Sequence, residues 1–245
     1  MVKSLSGKKV VIIGESSGLD LAIAKATAEL GASVVISTPS QDKLNQAIEP
    51  LSGEIAAIAV DILNEDSVNA LFEKVGNFDH LVVTSVGDRN LPRSLFSEMT
   101  IETAQGALEK FWRAFFAVRA SLKNIAADGS ITLTSSVSIF KTSKLGGISV
   151  VSAANAAVAV FGRSLALELA PIRVNVIAPG LVEDTSVLSH QSESERSDLT
   201  KWAETALPVQ HLGKPEEVAQ AILSLLTNPY ITGVILPVDG GVLLL

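Results

Sequence analysis

Seven short runs, rich in valine and isoleucine, recur along the chain and are apolar on consecutive residues rather than on alternate ones. They are Lys9–Ile13, Ser33–Ser37, Ile55–Val60, His80–Thr84, Ser130–Ser135, Arg173–Ala178 and Gly233–Val238. A strand that is apolar throughout must be covered on both faces, and the covering elements are legible between the runs. Helical patterns occupy about 18–30, 42–51, 67–75, 101–126 and 152–170, and another opens at Pro215. Gly31 is suited to stop the first of these, and Pro215 to enter the first turn of the last. Strand and helix in alternation give an α/β fold, a doubly wound parallel sheet of about seven strands with right-handed crossovers and helices on both faces. No linker or internal repeat interrupts it, so residues 1–245 are expected to form one domain. The Ser/Glu-rich stretch from Asp184 to Asp198 reads as a loop or a lid.

Composition narrows the function classes. The chain has 245 residues, 47% of them hydrophobic, which is enough to bury a large core. A net charge of -7 argues against nucleic-acid binding, which needs a basic surface. The two basic pairs, Lys8–Lys9 and Lys141 with Lys144, read as solvated loop charges. With no cysteine, disulfides, thiolate nucleophiles and cysteine metal sites are excluded. That fits a cytoplasmic protein. The first apolar run, Val10–Ile13, is too short for a signal-peptide core, and no uninterrupted apolar run nears the ~18 residues of a membrane span. The three histidines, His80, His190 and His211, are scattered, so no metal site is expected.

The chemistry-bearing segments lie where the strands end. In "VVIIGESSGLD" Gly14 and Gly18 stand between a strand and a helix, where glycine permits a tight turn and lets a pyrophosphate approach backbone N–H groups. Asp61 follows the third run in "VDI", and "LVVTSVG" closes the fourth at Gly87. "GSITLTSSVS", "RSLALELAPIRVNVIAPGLVEDT" and the terminal "VDGG" complete the series. In order and spacing this set resembles the short-chain dehydrogenase/reductase family over essentially the whole chain. The likeness is greatest to the members that include acyl-carrier-protein ketoreductases.

The resemblance implies a Rossmann-type fold, homodimers or homotetramers, and binding of NAD or NADP. It also implies hydride transfer to or from a carbonyl or an alcohol. It would place cofactor contacts at Gly14, Ser16, Ser17, Gly18, Ser37, Thr38, Asp61, Gly87, Pro179 and Gly180. Active members use a tyrosine as proton donor, a lysine one helical turn on, a serine that binds the carbonyl oxygen, and an asparagine in the long helix. The serine falls on Ser138. The tyrosine position is Val151 and the lysine position is Asn155. The asparagine falls on Lys110 or Phe111. Valine cannot donate a proton, and a phenol with a pKa of about 10 needs a nearby cation to act near neutrality. The only tyrosine, Tyr230, lies near the C-terminus and reads as a packing residue.

The cofactor segment departs as well. The family's third glycine falls on Asp20, and Glu15 lies in the same turn. Two like charges ~5 Å apart cost on the order of 3 kcal/mol at an effective dielectric near ~20. Alternatively, Asp20 simply favours the positive end of its own helix. No acid lies between Leu30 and Gln41 to hold the ribose of NAD. Ser37 and Thr38 favour NADP weakly, although no arginine accompanies them. Ala153, Ala154, Ala156, Ala157 and Ala159 suit either close helix contact across a subunit interface or core packing.

Three readings of function remain. One is an oxidoreductase with a rearranged acid, for which Lys141 and Lys144 are candidates. Another is a non-redox enzyme using Ser138 to bind an oxyanion. The third is a non-catalytic ligand-binding or assembly protein on the same scaffold.

Overall fold

The computed structural model describes residues 4–15, 18–87, 94–142, 147–183 and 192–245. All seven strands form one sheet in the order β3-β2-β1-β4-β5-β6-β7. They are β1 (Lys9–Ile13), β2 (Ser33–Ser37), β3 (Ile55–Ala57), β4 (Phe78–Val83), β5 (Ile125–Thr134), β6 (Arg173–Pro179) and β7 (Ile235–Val238). Every pairing is parallel. The helices among the described residues are α1 (Gly18–Glu29), α2 (Gln41–Ile48), α3 (Glu65–Val75), α4 (Ile101–Ser121), α5 (Ile148–Glu168), α6 (Glu193–Ala206) and α7 (Pro215–Thr227).

The continuous apolar runs are explained by a core on each face of the sheet. Val11, Ile13, Leu81, Val83, Ile131, Leu133, Val174 and Val176 pack against α3, α4 and α5. Their alternates Val10, Ile12, Val34, Ile36, Val82 and Ile177 pack against α1 and α7. Gly162 of α5 sits so close to β6 that an added Cβ would lie 2.5 Å from Val176 Cγ2. By length and composition α5 could cross a bilayer. Here its buried face, Ala154, Asn155, Val158, Ala159, Gly162, Leu165 and Ala166, covers the sheet.

Several boundaries differ from the sequence expectation. β5 starts at Ile125 and the helix before it stops at Ser121, because Ile125 pairs with Phe78 across a register shift. At that shift a Cβ on Gly129 would overlap the Asp79 carbonyl. A helix, α6, occupies part of the stretch read as a lid. Its start carries a capping box, in which Ser192 accepts from the Glu195 N–H and Glu195 accepts from the Ser192 N–H. Residues 184–191 lie outside the described residues. Tyr230 is 97% exposed, so it is not a packing residue.

His80 is buried on β4 and its Nδ1 lies 2.9 Å from Ser130 Oγ. Burial, the dominant cause, pulls its pKa down from 6.5 to about 4. The folded pKa is therefore depressed, and the unfolded chain binds more protons between the two values. Stability from the neutral ring is present above pH 6.5 and is lost as pH falls towards 4. The loss should be on the order of 3 kcal/mol, since each unit is worth about 1.4 kcal/mol. Urea denaturation at pH 7 and pH 4 should show the wild type losing more stability than His80→Gln. Equal losses would contradict the assignment.

Candidate functional site

β1 is hydrogen-bonded to β2 on one side and β4 on the other. The chain leaves it in opposite directions at that point, which opens a crevice at the carboxyl edge of the sheet. Most of the residues singled out by sequence stand along this edge. Gly14 follows β1 and Gly18 opens α1. Ser37 ends β2 and Thr38 comes next. Gly87 lies beyond the end of β4, and Ser138 sits in a 3-10 turn, Val137–Ile139, after β5. Val151 and Asn155 lie one turn apart near the start of α5. Pro179 ends β6, and Gly180 packs its Cα where a Cβ would lie 2.9 Å from Asp239 Cα. Asp61 is exposed, and its carboxylate accepts from the Leu63 N–H at 3.1 Å. Ser16, Ser17 and Lys144 fall outside the described residues.

The glycine turn is filled from within. The Asp20 carboxylate is 1% exposed. It accepts the Glu15 N–H at 2.8 Å and the Thr84 hydroxyl. A Cβ on Gly14 would overlap both Asp20 and Thr84. Aspartate in the first turn of α1 is also favoured by the helix dipole. Glu15 faces a partner that sequence reading missed. Arg113 of α4 reaches it at 3.5 Å and also holds Glu109 at 3.2 Å. The two carboxylates are therefore not a free anionic pair, and the repulsion expected from them is reduced. Gly87 has a packing reason of its own, since a Cβ there would lie 2.8 Å from the Ala107 carbonyl oxygen of α4.

The edge also holds buried polar atoms without partners, on both sides of β1. Among the described residues, Ser37 Oγ, Ser138 Oγ, Ser152 Oγ and Asn155 Oδ1 are buried and accept or donate no hydrogen bond. Asn155 Nδ2 is used locally, donating to the Val151 carbonyl at 2.9 Å. Ser135 donates to the Asn155 carbonyl at 2.9 Å and so ties the end of β5 to α5. Val151 itself is 44% exposed and offers no polar group.

The structure also separates Lys110 from Phe111. Phe111 packs edge-on to Phe161 of α5, with ring centroids 5.4 Å apart. Lys110 lies on the buried stripe of α4 with Gly106, Ala114 and Ala117. It is 8% exposed and makes no ion pair or hydrogen bond among the described residues. Burial alone lowers its pKa from 10.5 to about 8. The signal was present in the sequence, a lysine at the helical spacing of small residues, but lysine in such a stripe is rare. Lys141 was read as a solvated loop charge, with a reach into the pocket as the alternative. Instead its ammonium donates to the Val242 carbonyl and to the terminal oxygen of Leu245, anchoring the C-terminal turn.

A buried lysine with a depressed pKa opposes folding wherever the unfolded chain would be charged. The unfolded state binds more protons between pH 8 and 10.5, so stability rises with pH across that window. Replacing Lys110 by methionine should therefore stabilise the protein at pH 7, by on the order of 3 kcal/mol. The gain should shrink above pH 8 and vanish near 10.5. Urea titrations of both proteins at pH 7 and pH 10 measure this. A less stable Lys110→Met at pH 7 would show that the ammonium is satisfied in the fold.

Comparison with known proteins places this arrangement. A family model described as enoyl-(acyl carrier protein) reductase matches residues 13–243. The chain is 30% identical to the 3-oxoacyl-(acyl-carrier-protein) reductase FabG of Aquifex aeolicus, over 97% of this chain and 98% of that one. It is 31% identical to carbonyl reductase family member 4 of Danio rerio, over 96% and 98%. Among solved structures, a small-chain dehydrogenase in complex with NADPH aligns with a TM-score of 0.80 at 31% identity, covering 97% of this chain and 99% of that one. An NADPH-bound short-chain oxidoreductase of Pseudomonas aeruginosa, described as containing an atypical catalytic center, aligns at 0.85 and 30% identity, covering 98% of each chain. The chain belongs to the short-chain dehydrogenase/reductase family.

Proposed function

We propose that the protein is an NADP(H)-dependent oxidoreductase acting on a carbonyl or alcohol, with a site that lacks the phenol–ammonium pair of the family. The observation that carries the reading is the set of buried, unpartnered polar atoms along the carboxyl edge. Ser37 Oγ stands at the end of β2, and Ser138 Oγ and Asn155 Oδ1 stand beyond β5 and on α5. Buried polar groups in a native protein normally have partners, so those at the fold's ligand-binding edge are suited to meet a ligand.

The residues present fit a dinucleotide at both ends. Ser37 and Thr38 would meet the adenosine ribose and its 2′-phosphate, and the absence of an acid before Gln41 favours NADP over NAD. Gly14, Gly18 and the start of α1 would face the pyrophosphate, with Ser16 and Ser17 between them. Asp61, Gly87, Pro179 and Gly180 would border the remainder. When bound, the nicotinamide supplies hydride chemistry. Ser138 would hold the carbonyl oxygen, and Asn155 Oδ1 would accept from a ribose hydroxyl. Val151 contributes shape only. The chain is taken to act as one domain in the cytoplasm, as a homodimer or homotetramer. Exposed apolar residues on α4 and α5, among them Trp112, Val160 and Leu167, suit such an interface.

A second reading rests on Asp20. Its carboxylate fills the glycine turn, which suits a non-redox enzyme or a non-catalytic ligand-binding protein on this scaffold. Titration of the protein against NADPH, followed by nicotinamide fluorescence, separates the two. Saturable binding is expected, and no binding of NADPH or NADH supports the second reading. Turnover should also depend on how activated the carbonyl is. General acid assistance of the usual kind is worth about 10² to 10⁴-fold. Simple ketones and 3-ketoacyl thioesters should therefore be reduced at least ~100-fold more slowly than 1-phenylpropane-1,2-dione. Comparable steady-state rates on all three would show that the acid in this site is as effective as the family's phenol–ammonium pair.

A further inference from the structure

Lys110 is a costly residue for α4 to bury, and among the described residues nothing pairs with it. Its helix neighbours explain where its side chain goes. Side chains on a helix lean towards the amino end, and the amino ends of α4 and α5 lie at the carboxyl edge of the sheet. One turn towards that edge, the position that would block the lysine is Gly106, which has no side chain. The Gly106 and Ala107 carbonyls lie against Gly87, where β4 enters the crevice. On the facing helix α5, Asn155 is 3% exposed and keeps Oδ1 unpaired, and Ser138 Oγ is unpaired beyond β5.

Lys110 thus stands on the buried stripe of α4, the helix that packs against α5, and it is hydrogen-bonded to neither of the buried, unpaired atoms Asn155 Oδ1 and Ser138 Oγ. Buried polar groups in a native protein normally have partners, so these groups are available to a ligand. Among the described residues no other cation stands ready there. Arg113 is committed to Glu15 and Glu109, and Lys141 to the C-terminus. The charged residues of α5, Arg163 and Glu168, are exposed, and those of β4 and β5, Asp79, His80 and Asp128, lie at or near the opposite edge.

We propose that Lys110 is the catalytic acid–base residue of this site, in place of the family's phenol. This rests on the oxidoreductase reading above. The substrate oxygen sits between Ser138 and the Lys110 ammonium. When bound, the reduced cofactor would supply the hydride to the carbonyl carbon. The Lys110 ammonium would give a proton to the oxygen as the C=O π bond opens, leaving an alcohol and a neutral amine that would regain its proton from water. A lysine whose pKa is lowered by burial is suited to both directions of this transfer near neutral pH.

The test compares wild type with Lys110→Met and Lys110→Ala, using NADPH and 1-phenylpropane-1,2-dione. Both variants should bind NADPH within about threefold of wild type, while reduction falls at least ~100-fold. Small primary amines such as ethylamine should restore part of the rate to Lys110→Ala and none to Lys110→Met, whose side chain fills the space. Independently of turnover, lysines carrying ¹³C-methyl groups should show one resonance, absent in Lys110→Met, that titrates near pH 8. Retention of more than about a tenth of the rate by Lys110→Met, or titration of that resonance near 10.5, would overturn the role of Lys110 alone. Failure of the wild type to bind NADPH would instead overturn the oxidoreductase reading on which the role depends.

Discussion

The pairing of β1 with both β2 and β4 is the constraint on which the rest of the structure depends. Parallel strands force each crossover to return along one face, so every helix begins at the same edge of the sheet. Because the strand order reverses at β1, the crossovers part there and leave a crevice rather than a continuous lid. The helix amino ends that border it carry positive partial charge, and the loops that border it need not serve the core. Two apolar cores hold the sheet beneath this edge, one under α3, α4 and α5 and the other under α1 and α7.

On this edge the residues depart from the pattern that the resemblance implies, while the frame is kept. Where a glycine would leave the first turn open, Asp20 closes it onto Thr84 and the Glu15 amide. Glu15 is then balanced by Arg113 from the far side of the crevice. At the other end a valine and an amide stand where the resemblance puts the phenol and the ammonium. The ammonium is found on the neighbouring helix, at Lys110, and the amide at Asn155. The two groups have in effect exchanged helices across the α4–α5 contact, if Lys110 rather than Phe111 answers to the family's asparagine. The buried aspect of Lys110 and the ring contact of Phe111 with Phe161 support that choice.

Much of the frame was legible because it depends on local patterning. Uninterrupted Val/Ile runs require burial on both faces, and "VVIIGESSGLD" can scarcely be anything but strand, turn and helix. The errors came where tertiary contact overrules local preference. Ile125-Ala-Ala reads as helix, yet Ile125 is drawn into β5 by Phe78, and Gly129 absorbs the register shift. α6 was hidden by polar composition, although its Ser192–Glu195 capping box was written in the sequence. In the site, Ser138 and Val151 were assigned by the resemblance alone. The inward turn of Asp20, the reach of Arg113 to Glu15 and the tie of Lys141 to the C-terminus were not legible. Each joins residues far apart in the chain, or sets a side chain's direction, and no periodicity encodes either.

The most direct measurement of the account's central claim is a crystal structure of the protein grown with saturating NADPH. The expected result has the pyrophosphate at the start of α1 and the 2′-phosphate beside Ser37 and Thr38. The nicotinamide should lie beside Ser138, with the lysine ammonium within hydrogen-bond reach of a carbonyl oxygen placed on Ser138. A crevice that stays closed by Asp20 with no dinucleotide bound, or a Lys110 turned into a contact with the protein itself, would contradict it.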